Sequence, residues 1–219
     1  MNPLVFKSKA DAVYVEVRQR ILDGELSPGS SLNQEQLAAT LEVSTTPLRE
    51  ALRRLEAEGF VRTLAHREII VAPLVVDDFL ALWEVRRAVD ATAAALAAER
   101  HGPEDRNRML AAAEAMNKRS SRLDAVEKNR EFHTAIFCAC HNPVLIEMLG
   151  SLWDRADRYR RLIAVASSAA DTAAEHRALL KAVLDRDPEA SSRLMQQHLL
   201  GSQALIEQSL RASVLGHRE

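Results

Sequence analysis

The stretch Ser44-Thr45-Thr46-Pro47-Leu48-Arg49-Glu50-Ala51-Leu52-Arg53-Arg54-Leu55-Glu56 decides how the first third of the chain folds. A hydroxyl residue stands where a helix N-cap belongs, and Pro47 suits the first helical turn. Leu48, Ala51, Leu52 and Leu55 then recur at the spacing of one helical face until Gly59 stops the run. Thr45, Thr46, Arg49 and Arg53 fall on the N-terminal and outer surface of that helix. Hydroxyls and a helix N-terminus take phosphate oxygens, and arginine forks onto a guanine edge or a phosphate, so the surface is suited to reading a DNA groove. The plainer reading is a solvated amphipathic helix with its charges in ordinary pairs.

The neighbours favour the first reading. Asn33 with Gln36 three residues later forms a capping box opening a short helix through Leu37 and Leu41, and two short helices joined by a tight turn make a helix-turn-helix. Upstream, Ser8 caps an earlier helix whose stripe Val13, Val17 and Ile21 ends at Gly24, before the turn Ser27-Pro28-Gly29. Downstream, Phe60-Val61-Arg62 and Ile69-Ile70-Val71 predict two short strands. The loop between them makes the wing of a winged helix and brings His66 and Arg67 toward DNA.

Pro73 marks a boundary, and the pattern is helical from there to the end. Helices are expected over 76–100, 104–119, 124–140, 144–166, 171–185 and 188–214, broken at Gly102-Pro103, Asn142-Pro143 and Asp187-Pro188. The predicted organisation is mainly α: a winged helix-turn-helix with a small β wing over 1–73, then an all-α bundle over 74–219.

Composition agrees. Of 219 residues 47% are hydrophobic, with only 7 Gly and 7 Pro, as an ordered helical protein requires. Net charge is -2, and residues 1–73 hold nine Lys/Arg against ten Asp/Glu, so a DNA interface must rest on local placement rather than on global charge. No run of about 18 apolar residues occurs and the start lacks the pattern of a signal peptide, so a cytoplasmic location without membrane association is expected. Cys138 and Cys140, two apart on a helix, point to nearly opposite sides and read as packing residues.

Three histidines carry a second signal. His133 follows Asn129 by four on a stripe with Val126, Ile136 and Cys140; His176 shares a face with Leu179, Leu180 and Val183; His198 shares one with Leu194 and Leu205. A lone histidine on an apolar stripe is more often a satisfied core residue than a ligand. Three of them on three helices of one bundle have a poor apolar explanation and a good metal explanation. His66, His101, His141 and His217 fall in the wing, turns or tail.

The span from Val13-Tyr14 through Ile21-Leu22-Asp23-Gly24, Ser27-Pro28-Gly29, Val43-Ser44, Thr46-Pro47-Leu48-Arg49-Glu50-Ala51-Leu52-Arg53-Arg54-Leu55 and Glu58-Gly59-Phe60-Val61 closely resembles the winged-helix domain of the GntR family of bacterial transcription regulators. Family members usually carry arginine where this chain has Thr45 and glycine at the wing where it has Glu68, departures that remove a base contact and put a carboxylate near phosphate. Downstream, Glu84-Val85-Arg86 with Val89-Asp90, Asn129 with Phe132-His133, Asn142-Pro143, Glu175-His176-Arg177, and Asp187 with Met195 and His198 resemble the FCD ligand-binding domain of the FadR-like branch. The resemblance implies a divalent ion (zinc, nickel or manganese) held by Asn129, His133, His176 and His198, with Asn129 standing where many relatives have Asp. It also makes Arg86 a clamp for an effector's carboxylate; the plainer alternative is a surface arginine paired with Glu84 or Asp90.

The function expected is a homodimeric, ligand-responsive transcription regulator that represses from a palindromic, double-stranded DNA operator and is released by a small organic acid. A helical metal-dependent hydrolase and a metal-free small-molecule sensor are the rival classes. Against the hydrolase, no acid or base is expected beside the histidines, because Glu175 projects about 100° from His176 on a helix.

Overall fold

The computed structural model describes residues 8–65, 68–118, 121–163 and 169–215. The chain divides into two compact units, Met1–Leu74 and Val75–Glu219.

The first unit contains α1 (Lys9–Leu22), α2 (Gln34–Thr40), α3 (Thr45–Ala57), β1 (Val61–Thr63) and β2 (Ile69–Val71). Ser8 caps α1 by accepting from the Asp11 N–H, and Asn33 caps α2 by accepting from the Gln36 N–H. Ser44 stands at the N-cap of α3 without a side-chain capping bond. The third helical position is Pro47, which has no N–H to offer, so the threonines and proline set the start by backbone geometry instead.

At the other end of α3 the Gly59 N–H donates to the Glu56 carbonyl and the Phe60 N–H to the Leu55 carbonyl, a Schellman ending. Gly59 takes the left-handed conformation (φ 77°) that this ending requires. Because Phe60 is used as the helix stop and buried against the core, strand pairing starts one residue later than expected, at Val61 rather than Phe60. β1 and β2 pair antiparallel with Val61 opposite Val71, and Ser31 adds a bridge to Ile70. The core joins Val13, Val17 and Ile21 to Leu48, Leu52, Leu55, Phe60 and Val71. Arg54 lies over the Tyr14 ring at 4.2 Å and donates to Asp11 at 2.6 Å, fastening α3 to α1.

The second unit contains α4 (Val76–Arg100), α5 (Pro103–Asn117), α6 (Arg122–Cys138), α7 (Pro143–Ile163), α8 (Ala169–Leu184) and α9 (Pro188–Leu215). Pro103, Pro143 and Pro188 each open a helix. The expected spans lie within three residues of these bounds. α4 packs on α6, α7, α8 and α9, burying Phe79, Leu82, Trp83, Arg86 and Asp90 and keeping Glu84 and Thr92 toward solvent. Its Ala91, Ala93, Ala94, Ala97 and Ala98 are at most 2% exposed, and such small side chains let neighbouring helices approach closely.

Loops at one end of this bundle are tied together by polar groups. Arg186, itself at φ 60°, donates to the carbonyls of Glu99 (2.9 Å) and His101 (2.7 Å), two carbonyls that the end of α4 leaves without helical partners. His101, expected as an ordinary turn residue, is buried there, with neither ring nitrogen hydrogen-bonded among the described residues.

The Asp105 carboxylate accepts from the Gly102 N–H (2.9 Å), from His141 Nε2 (2.7 Å) and from Arg108. Burial alone would raise its pKa, but these three partners outweigh it and hold the group at about 2 against an ordinary 3.8. A depressed carboxyl stabilises the fold above its unfolded pKa and loses that contribution as pH falls from about 4 to 2, a difference worth about 2 kcal/mol. Asp105→Asn should therefore lower the unfolding free energy by about 2 kcal/mol at pH 7. In urea titrations the gap to the wild type should narrow toward pH 3; a gap independent of pH would contradict the assignment.

Candidate functional site

On the first unit, Thr46, Arg49 and Arg53 are exposed along α3 and Thr45 is half-buried at its start, because Leu48, Ala51, Leu52 and Leu55 occupy the inner face. Arg49 Nε donates to Gln34 Oε1 at 3.3 Å, so the first residue of α2 steers an arginine of α3. Glu68 is exposed. His66 and Arg67 lie outside the described residues.

On the second unit the three histidines from α6, α8 and α9 converge. One ring nitrogen from each of His133, His176 and His198 lies within 4.8 Å of the others, and all three residues are buried. His133 Nε2 stands 3.2 Å from His176 Nε2. Two nitrogens bound to one zinc at 2.0–2.1 Å in a tetrahedron stand about 3.3 Å apart, so the pair has the spacing of ligands to a shared ion. His133 is held well below the ordinary 6.5, by burial first and then by the neighbouring imidazoles and Arg160, so it stays neutral with a lone pair to give.

Glu175 corrects the sequence reading. It does diverge from His176, but the divergence carries it toward α9, where Glu175 Oε2 lies 2.7 Å from His198 Nδ1. A carboxylate can only accept, so the proton sits on Nδ1 and Nε2 is left to ligate, the arrangement that second-sphere carboxylates impose on metal-binding histidines. Leu205 is a second correction: it is 44% exposed, and Met195, Leu199 and Ile206 supply the buried positions around His198. The buried stripe of α9 lies to one side of His198, through Met195, Leu199 and Ile206, so Leu205 on the other side of it meets solvent.

Asn129 reaches the same place. Its amide lies between His176 Nε2, 3.2 Å away, and the Arg160 guanidinium, where it can present either its oxygen or its nitrogen to the histidines.

Arg86 is 1% exposed rather than on the surface. It donates to Asp90 Oδ2 at 2.7 Å and lies between the rings of Trp83 (4.7 Å) and Trp153 (4.4 Å). Trp153 Nε1 donates to the same Asp90 oxygen, and its ring also meets His133 at 4.9 Å and Arg160 at 4.6 Å. Arg86 Nε and Asp90 Oδ1 have no hydrogen-bond partner among the described residues. Arg160 is held at about 10, below the ordinary 12.5, chiefly by burial, and keeps its charge at neutral pH.

Sequence reasoning missed Glu175, Trp153 and Arg160. For the last two a signal existed: Trp153, Asp157 and Arg160 are spaced four and three apart and share one face of α7.

Residues 9–71 match the family described as bacterial regulatory proteins, gntR family, and residues 81–201 match the FCD domain. The chain is 31% identical over 210 residues to the HTH-type transcriptional repressor GlaR of Escherichia coli, covering 90% of this chain and 95% of that protein. It is 31% identical over 212 residues to the HTH-type transcriptional regulator BphR of Paraburkholderia xenovorans, covering 92% and 86%. The solved structure of E. coli McbR/YncC superposes with a TM-score of 0.77 at 24% identity over 94% of this chain and 100% of that one, a likeness of fold.

The buried histidine gives a pH signature. Its lowered pKa means that the unfolded chain takes up a proton below pH 6.5 that the folded chain refuses, so stability falls as pH drops below that value. With divalent ions chelated, His133→Gln should flatten the decline of unfolding free energy below pH 6.5, by up to about 1.4 kcal/mol per pH unit. An unchanged slope would mean that His133 titrates as it does in the unfolded chain.

Proposed function

The chain belongs to the GntR family of bacterial transcription regulators and carries an FCD domain, and on that premise we propose that it is a dimeric repressor whose hold on a palindromic operator is released by a small organic acid. As a member of a family of regulators it is not an enzyme, which disposes of the hydrolase reading. The observation that carries the proposed sensing function is the convergence of His133, His176 and His198 inside the FCD domain.

Those imidazoles would hold a divalent ion, with zinc and nickel favoured over manganese by the nitrogen donors. Asn129 is the fourth candidate ligand, and Glu175 would keep the ligating nitrogen of His198 aimed inward. The ion would supply a positive charge to which an effector's carboxylate can bind. Arg86, with a donor still free among the described residues and two indole walls that exclude water, would orient that carboxylate. On the first unit Thr45, Thr46, Arg49 and Arg53 would meet the major groove and the adjacent backbone, and His66 and Arg67 the flanking phosphates. One winged helix reads one half-site, which is why a dimer is required for a palindrome. Among the described residues no helix is long and apolar enough to cross a membrane.

Arg49→Ala should weaken operator binding by about 1–3 kcal/mol, roughly tenfold to a hundredfold, without altering the thermal transition. Wild-type affinity in a gel-shift titration would remove Arg49 from the interface. His176→Ala should lose the bound ion by elemental analysis and the response to effector, yet retain operator affinity. Chelation should lower the melting temperature of the wild type, because the ion binds only the folded chain. A zinc-supplemented protein that carries no ion and melts alike with and without chelator would leave the metal-free sensor as the reading.

A further inference from the structure

Arg49 is tethered before any DNA arrives. Its Nε donates to Gln34 Oε1 at 3.3 Å, from α3 back to the first residue of α2. Gln34 is half-buried where Arg49 is exposed, so the shorter and better anchored side chain sets the direction of the longer one.

The bond also sorts the remaining atoms. Arginine has no acceptor, so the Gln34 oxygen faces it and the Gln34 amide nitrogen faces away. Among the described residues no other hydrogen bond or ion pair engages either side chain. The edge left to solvent, Nη1 and Nη2 of Arg49 with Nε2 of Gln34, therefore carries donors only. Its complement is a pair of adjacent acceptors, either O6 and N7 of a guanine in the major groove or two oxygens of one phosphate. With Nε spent on Gln34, the guanidinium meets that pair end-on.

Two further features favour the guanine. The N-terminal residues of a groove-reading helix are the ones that reach base edges, and Arg49 is the first residue of α3 able to grip a base with two bonds, since Thr45 and Thr46 have no fork. Gln34 also steers without charge. A glutamate there would hold the guanidinium more tightly, but it would offset its charge and set a carboxylate where phosphates approach.

Resting on the operator-binding reading above, we propose that Gln34 determines specificity by positioning Arg49 to read a guanine in each half-site. Immobilising a long side chain costs about twofold to tenfold in affinity, and a tether already in place removes part of that cost for one orientation only. Without Gln34 the arginine is free to reach a phosphate or a neighbouring base as readily, so base preference relaxes while the phosphate contacts stay.

The test takes the full-length protein and a duplex that the wild type selects from a random pool. Each guanine of a half-site is replaced in turn by 7-deazaguanine, which lacks the N7 acceptor. At one position this should weaken wild-type binding by about fivefold or more, against about twofold at most for Gln34→Ala and for Arg49→Ala. Gln34→Glu should keep the wild-type penalty while binding every duplex more weakly. The slope of affinity against salt should be the same for Gln34→Ala as for the wild type, because no phosphate contact is lost. A 7-deazaguanine penalty undiminished in Gln34→Ala overturns the role of Gln34 and leaves operator binding standing. A salt slope lower by about one in Arg49→Ala, with no guanine whose replacement depends on Arg49, assigns the arginine to phosphate and overturns it too. A wild type that enriches no duplex from the pool overturns operator binding and the role of Gln34 together.

Discussion

Placing cations and imidazoles inside a helical bundle is the constraint on which the second unit depends. An isolated buried charge costs several kcal/mol, so each must be matched where it lies. Arg86 is matched by Asp90 one turn along α4 and by two indole faces, and Trp153 sends its only hydrogen-bond donor to the same carboxylate. Trp153 thus belongs at once to the aromatic packing, to the Arg86–Asp90 pair and to the wall of the histidine cluster. The network is not closed internally, since Arg86 Nε, Asp90 Oδ1 and His133 Nδ1 are buried without partners among the described residues. Unsatisfied buried groups weaken a fold, and three of them beside one histidine cluster fit the lining of a polar ligand site.

The first unit solves a different problem. It has to present charge outward from a small core, so its polar groups act locally: Arg54 binds Asp11 and covers Tyr14, Tyr14 donates to Glu58, and Gln34 holds Arg49. These contacts fix the pitch and azimuth of α3, leaving Arg53 and Thr46 outward. The unit's charge is nearly balanced, so what faces outward along α3 is decided by local placement, with both acidic residues of α1 held in internal pairs. Arg20 with Glu16 is another instance.

Position 129 is a crowded place, with the Asn129 amide between His176 Nε2 and the Arg160 guanidinium. A carboxylate there could serve two positive centres at once, whereas an amide presents one acceptor and one donor. What the amide meets is set partly by Arg160, a residue thirty-one positions away in the sequence. A neutral donor set would leave the charge of any bound ion for an anion to balance.

Local rules settled what could be read without coordinates. Capping residues, helix-opening prolines, terminating glycines and the three-to-four spacing of Leu48, Leu52 and Leu55 are short-range features, and they placed the helices to within a few residues. Apolar periodicity also put His133, His176 and His198 on inward faces, because a side chain's face is fixed by its own helix. What remained to the tertiary structure was everything that depends on azimuth between helices. That Glu175 meets His198, that Arg86 lies between two tryptophans, and that Arg160 meets the amide of Asn129 follow from how α4, α6, α7, α8 and α9 are rotated against one another. No rule of spacing along a single helix contains that rotation, since packing of whole helix faces sets it.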